Sequence, residues 1–220
     1  MEIMWHDARS LGSLRSKRLE GNDALRAHLS SPVTIGRHCP TCGSTTHGRP
    51  WVRLPDGTSP HVSLSRCGEH VVTVVADDPV GIDVESIAAV DARWDPALVL
   101  HPDEPDPAAP APTRPGLAGS GRAHSPMAMR ENLHSPMAMH ENLHSPMAMR
   151  ENLHSPMAMQ RAAAWCRKEA ILKALGTGLS TPMSEIRVAD WQVVDIEAPG
   201  GLAAAVATIP QPGRGGSSTS

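Results

Sequence analysis

The chain has 220 residues, a net charge of −3 and basic residues scattered along its length, so it carries no nucleic-acid footprint and is sized for one domain or two small halves. Phe and Tyr are absent, which leaves Val, Leu, Ile, Ala and five Trp to build the core, and four Cys in a chain of this length do not make a disulfide framework. No apolar run approaches the ~18 residues of a membrane span and the start is polar after its first five residues, so a cytoplasmic protein with no membrane attachment is expected.

In chain order, the first signal is Leu14, Leu19, Leu25 and Leu29, roughly helical in spacing but interrupted by Gly21. CPTCGSTTHGRPWV follows, rich in turn formers. Cys39-x-x-Cys42, with His38 and His47 nearby, has the donors of a zinc site but no second Cys pair, and the plainer reading is a turn with two free thiols. His61–Ser65 and His70–Ala76 are rich in β-branched residues and read as a hairpin across RCGE. Asp77, Asp78 and Pro79 form the next turn, and Val80–Ser86 is expected as the third strand of the same small antiparallel sheet.

Six prolines between Pro102 and Pro115 forbid regular helix and predict an extended linker. Ten-residue tandem repeats then run His124–Leu133, His134–Leu143 and His144–Leu153, with a partial copy from His154 to Gln160. A ten-residue period falls about 80° short of three helical turns, so equivalent side chains drift around any common axis and cannot stack as a solenoid. The repeats hold eight of the eleven Met and several His, a composition suited to soft metals, although near-identity points more simply to tandem duplication.

Ser155 and Pro156 supply an N-cap and a first helical residue for Met157–Gly176, with Gly176 as the stop. On that helix Trp165, Glu169 and Lys173 share a face, while Ala164, Ile171 and Leu175 can turn to the core. Taken alone, Glu169 and Lys173 are a solvated pair worth ~0.3–0.5 kcal/mol. Residues 186–199 and 201–209 read as two further strands, followed by a disordered tail over 211–220.

GIDVE changes the weight of that helix. Asp83 and Glu85 stand two apart on a strand and point to the same side, where their repulsion calls for a cation. Mg²⁺ suits such oxygen donors, with Glu169 as a third, unless the pair is simply the wet face of an edge strand. GIDVE followed by WCRKEAILKALG resembles the signature of the 4'-phosphopantetheinyl transferases, in particular the monomeric two-halved kind that activates carrier proteins. HGRPWV, VSLSR, VVTVVADDPVGIDVE, HPDE with Glu104, and GLAAAVATI are similar to further segments of that family, so the resemblance covers about 40–104 and 160–209.

That resemblance implies an α+β fold, two similar halves related by a pseudo-twofold, and an active site in the cleft between them. Residues 1–104 would form the N-terminal half, 105–153 a poorly ordered linker with repeats, 154–210 the C-terminal half and 211–220 the tail. It implies Asp83, Glu85 and Glu169 as ligands of Mg²⁺, Glu169 also as base, and Lys173 on the pyrophosphate of coenzyme A. Arg49 would face the nucleotide phosphates, Ser65 would touch phosphate, and Arg66 stands where the family most often has His, keeping a cationic donor. Arg15, Lys17 and Arg18 are the candidates for further nucleotide contacts. The implied reaction moves the phosphopantetheine arm from coenzyme A to a serine of an acyl or peptidyl carrier protein, as in secondary metabolism. A weakened relative, or a non-enzymatic His/Met-rich metal-binding protein, are the alternatives.

Overall fold

The computed structural model describes residues 1–11, 17–30, 32–106 and 154–211. Nearly all of the linker, the three complete repeats, Arg15 and nearly all of the tail lie outside them, as do the side chains of Lys17 and Arg18. The expectations for those segments are therefore not addressed by the fold. The described residues fall within one compact unit, and none of its helices is long and apolar enough to cross a membrane.

The fold mixes helix with antiparallel strand. Strand β1 (Glu2–Asp7) and helix α1 (Lys17–Leu29) come first, followed by β2 (Thr34–His38), β3 (Arg49–Arg53), β4 (His61–Cys67) and β5 (His70–Ala76). Then come β6 (Val80–Ser86), α2 (Ile87–Ala92), α3 (Pro96–Val99), α4 (Pro156–Leu175), β7 (Gln192–Ile196) and β8 (Leu202–Thr208). Among the described residues the strands form three sheets, ordered β1-β5-β4, β2-β3 and β6-β8-β7.

Helix α1 runs straight through Gly21 rather than breaking there. Gly21 is buried, and a Cβ at that position would stand 3.2 Å from Leu64 Cδ2, so the missing side chain lets the helix lie close to β4. The hairpin β4-β5 forms as its β-branched pattern predicts, but β6 is not its third strand. That place belongs to β1, paired with β5 on the far side from β4, whereas β6 pairs antiparallel with β8. The reason lies in burial on both faces of β6. Val80, Ile82 and Val84 pack against Val72 and Val74 of β5, and the opposite face turns to α4. Side chains of β4 tie the two sheets together: Ile82 N donates to Ser63 Oγ at 3.2 Å, and Ser65 Oγ donates to Asp83 Oδ1 at 2.8 Å.

Residues 186–199 yield only the short strand β7, because side chains take up the backbone groups ahead of it. Lys168 Nζ donates to Ile186 O at 2.6 Å and Val188 N donates to Glu104 Oε1 at 2.7 Å, and Val188–Asp190 closes into a 3₁₀ turn. Helix α4 has the expected ends: the Ser155 hydroxyl accepts from Ala158 N at 3.1 Å, Pro156 opens the first turn, and Gly176 ends the helix at φ 78°. Its buried face, with Cys166, Ala170, Ile171 and Leu172, packs on Ala205 and Ala207 of β8, where small side chains allow the helix to seat.

Candidate functional site

The site is built where α4 crosses β6. A Cβ on Gly81 would lie 2.0 Å from Ala170 O, 2.4 Å from Ala174 N and 2.8 Å from Lys173 Cβ, so the helix backbone rests directly on the strand. Gly81, Asp83 and Glu85 share one face of β6 by alternation, and that contact sets the carboxylates opposite Glu169 and Lys173. Lys173 Nζ donates to Asp83 Oδ1 at 2.6 Å, to Ser65 Oγ at 3.0 Å and to Ile82 O at 3.0 Å. Three acceptors match the three protons of an ammonium. Asp83, Ser65 and Lys173, predicted from separate segments, thus form one hydrogen-bonded cluster across β6, β4 and α4.

Electrostatics tie the two glutamates to the same cluster. Burial pushes the Glu85 carboxyl above its ordinary value, and Asp83 raises it further against the pull of Lys173 and Arg93. Glu169 is raised likewise, first by burial and then by Asp83 and Glu85, with Lys173 opposing. Asp83 is 3% exposed, and its Oδ2 is buried without a hydrogen-bond partner. The oxygens of the three acids do not all converge within 4.8 Å, a spacing reached among the described residues by Cys39, Cys42 and His47.

Beside this cluster opens a cavity of about 420 Å³. Lys173, Arg49 and Arg37 bring positive charge to it, and Thr177, Ser180 and the backbone of Gly176 and Gly178 add polar groups. Arg49 is anchored to both sides of the helix-strand crossing, donating from Nη1 to Ala174 O at 3.1 Å and from Nη2 to Val80 O at 3.3 Å. Those two bonds use two of its five donors. Arg66 is placed elsewhere: it alternates to the other face of β4 from Ser65, its Nε donates to Gly68 O at 3.2 Å, and it does not line this cavity.

Sequence reasoning missed the residues that fasten α4. Lys168 is fully buried, with Nζ 2.5 Å from Glu104 Oε2 and bonded to Met183 O and Ile186 O. Burial alone would raise Glu104, but hydrogen bonds from Lys168, Val188 and His101 outweigh it and hold the carboxyl below its ordinary range. Arg161 pairs with Asp91 of α2 at 2.7 Å, and Arg167 forms a two-pronged contact with Asp195 of β7 at 2.7 and 2.5 Å. Glu104 stood out in HPDE, but nothing in sequence spacing names a partner 64 positions away.

The helix, its caps and β7 lie within a match to a known family. The model of the 4'-phosphopantetheinyl transferase superfamily matches residues 137–202. That span contains Glu169, Lys168 and Lys173 and ends at the first residue of β8. The resemblance seen in WCRKEAILKALG is thereby supported by an independent comparison, and over this stretch the chain is similar to transferases of the phosphopantetheinyl type. No curated protein matches the chain with significance.

Proposed function

We propose that the chain transfers the 4'-phosphopantetheine arm of coenzyme A to a serine of an acyl or peptidyl carrier protein, releasing adenosine 3',5'-bisphosphate. The observation that carries this reading is the Asp83–Lys173–Ser65 cluster beside a cationic cavity, with Lys173 supplied by the helix that matches the superfamily. The expected two similar halves draw support from two three-stranded antiparallel sheets with a helix against each, α1 on β5 and α4 on β6 and β8.

The acids fit a divalent cation by their own chemistry. Three carboxylates face a single close ammonium, two of them are destabilised as anions, and one buried oxygen of Asp83 lacks a donor. Asp83, Glu85 and Glu169 would hold Mg²⁺ through hard oxygen donors. When bound, Mg²⁺ supplies positive charge where negative charge builds on the pyrophosphate oxygens.

The protein's own groups do the rest. Lys173 must exchange one of its three acceptors for a pyrophosphate oxygen, and of its two neutral partners, Ser65 and Ile82 O, the Ser65 hydroxyl is the readier to yield because it keeps its bond to Asp83. Arg49 keeps its backbone anchors while its remaining donors reach nucleotide phosphate. Glu169, raised toward neutrality by burial, is a matched acceptor for the proton of the attacking serine, directly or through water. Positioning and charge carry the reaction, as in other phosphoryl transfers.

The deciding experiment incubates the full chain with apo-carrier protein and coenzyme A, with and without Mg²⁺, and reads the carrier by intact mass. Addition of one phosphopantetheine arm is expected only with the metal, and is expected to collapse in Asp83→Ala with the fold retained. Near-normal transfer in that variant would refute the assignment of Asp83. A weakened transferase is the second reading, favoured by one observation: Lys173 occupies an oxygen of Asp83 that a cation would share. In that case coenzyme A binds but the carrier mass stays unchanged.

A further inference from the structure

The loop joining β2 to β3 has no core of its own. No residue from 39 to 48 is buried, yet Cys39, Pro40, Thr41 and Gly48 form one wall of the cavity beside Lys173. Something other than apolar packing must hold that wall. Gly43 N donates to Cys39 O at 2.8 Å and Cys39 N to Ser44 O at 2.9 Å, which folds the Cys-x-x-Cys segment into a tight knuckle with both thiols on it. The chain then returns so that Cys42 Sγ lies 3.3 Å from His47 Nε2.

That return depends on Gly48. Its φ is 96°, and a Cβ there would stand 2.3 Å from His38 O and 2.6 Å from the Cys39 backbone. Only glycine lets the backbone after His47 press against Cys39. The three donor atoms of Cys39, Cys42 and His47 all lie within 4.8 Å of one another. A tetrahedral zinc with Zn–S of ~2.3 Å and Zn–N of ~2.0–2.1 Å needs sulfurs about 3.8 Å apart and sulfur-to-nitrogen about 3.6 Å. The Cys42–His47 pair already stands just inside that spacing, and the other two pairs lie within 4.8 Å.

We propose that Cys39, Cys42 and His47 bind a zinc ion that staples the β2-β3 loop into the cavity wall, with solvent in the fourth position. The thiol chemistry agrees. The Cys42 backbone, the Cys42 thiol and the Thr41 backbone, with a smaller share from His47, hold the Cys39 thiol down at about 7. Binding converts two thiols to thiolates and releases up to two protons, while neutral His47 contributes a ring nitrogen. Arg49 and Pro50 follow the knuckle directly, so a fixed loop also fixes the start of β3 and the guanidinium beside the cavity. The proposal is independent of phosphopantetheine transfer, because metal content is read without it.

The test uses the reduced full chain, stripped of metal and titrated with zinc against a chromogenic chelator, then with Co²⁺ as a spectroscopic stand-in. One zinc per chain is expected, and Co²⁺ should give intense visible bands together with a near-ultraviolet thiolate charge-transfer band. The repeats contain no Cys and cannot produce that band. Cys42→Ser and His47→Gln, both at exposed positions, should each weaken zinc by more than roughly 100-fold, beyond the loss from an outer-shell change. Cys67→Ser should leave zinc binding unchanged. Absence of the charge-transfer band, or zinc affinity in Cys42→Ser equal to that of the parent chain, overturns the proposal.

Discussion

Gly81→Ala tests the contact on which the whole site rests. The added methyl would meet Ala170 O at 2.0 Å and Ala174 N at 2.4 Å, both backbone atoms of α4 that cannot rotate away. Bringing the nearer one back to the 3.0 Å floor that real Cβ atoms respect requires the helix to retreat by about 1 Å. Overpacking of this kind costs about 1–3 kcal/mol, which for a unit of this size lowers Tm by roughly 2–12 °C. The functional effect should be larger. A retreat of that size opens the Lys173–Asp83 contact from its present 2.6 Å, and a misplacement of about 1 Å can cost on the order of 100-fold in rate. Thermal melts and carrier-modification kinetics on the same preparation separate the two effects. Unchanged stability and rate would show that α4 does not lie on β6 at Gly81, and the geometry of the site would have to be redrawn.

Three other outcomes follow from the charges and the chain path. Glu169→Gln should raise Tm at neutral pH while impairing transfer, because the folded carboxyl is raised and its ionisation opposes folding; the gain should fade as pH falls below the ordinary glutamate range, and a loss of Tm at pH 7 would contradict it. Glu104 has the opposite sign: its contribution is present above the unfolded value and lost as pH drops through the lowered folded one. Lys168→Met, which leaves Glu104 without its cation, should cost about 3–5 kcal/mol in denaturant unfolding, and Glu104→Gln a similar amount, since Lys168 loses its anion and one amide oxygen can serve only one of the His101 and Val188 N–H groups, which bond different oxygens of Glu104; a cost below about 1 kcal/mol in both variants would refute the pairing. Deleting His124–Leu153 should preserve coenzyme A binding by calorimetry and alter stability by about 1 kcal/mol or less, because loop closure scales with the logarithm of length. Lost binding would make the repeats part of the working core.

What the sequence disclosed was governed by how local each cause is. The caps of α4 were legible because Ser155, Pro156 and Gly176 act on their own neighbours, and the β4-β5 hairpin because both strands and the turn are contiguous. Asp83 and Glu85 could be placed on one side of β6 by alternation alone, and the family resemblance added Glu169 and Lys173. The sheet to which β6 belongs was not legible, since its partner β8 lies more than a hundred residues away and its burial on both faces has no signature in a seven-residue run. Nothing in GIDVE marks Gly81 as the seat of a helix, because the atoms its missing side chain admits belong to Ala170 and Ala174. Lys168 is the sharpest failure: a lysine between Arg167 and Glu169 on a charged helix reads as solvent-facing, and only the fold shows it fully buried against Glu104.

These buried and paired residues also explain how a destabilising site is tolerated. Asp83, Glu85 and Glu169 crowd negative charge where α4 meets β6, and Lys173, with a smaller pull from Arg93 on Glu85, offsets it only in part. Left to that balance, the helix would gain by sliding away from β6. It is held by attachments that make no use of the acids: Lys168 to Glu104 at its middle, Arg161 to Asp91 toward its start, Arg167 to Asp195 on its flank, and Arg49 gripping Ala174 O and Val80 O at its end. Each joins α4 to a different part of the chain, so no single local rearrangement releases them all. The arrangement separates two demands that would otherwise conflict. Ionic and apolar anchors set the position of the helix, which leaves the negative charge of the carboxylates to face the divalent cation proposed above.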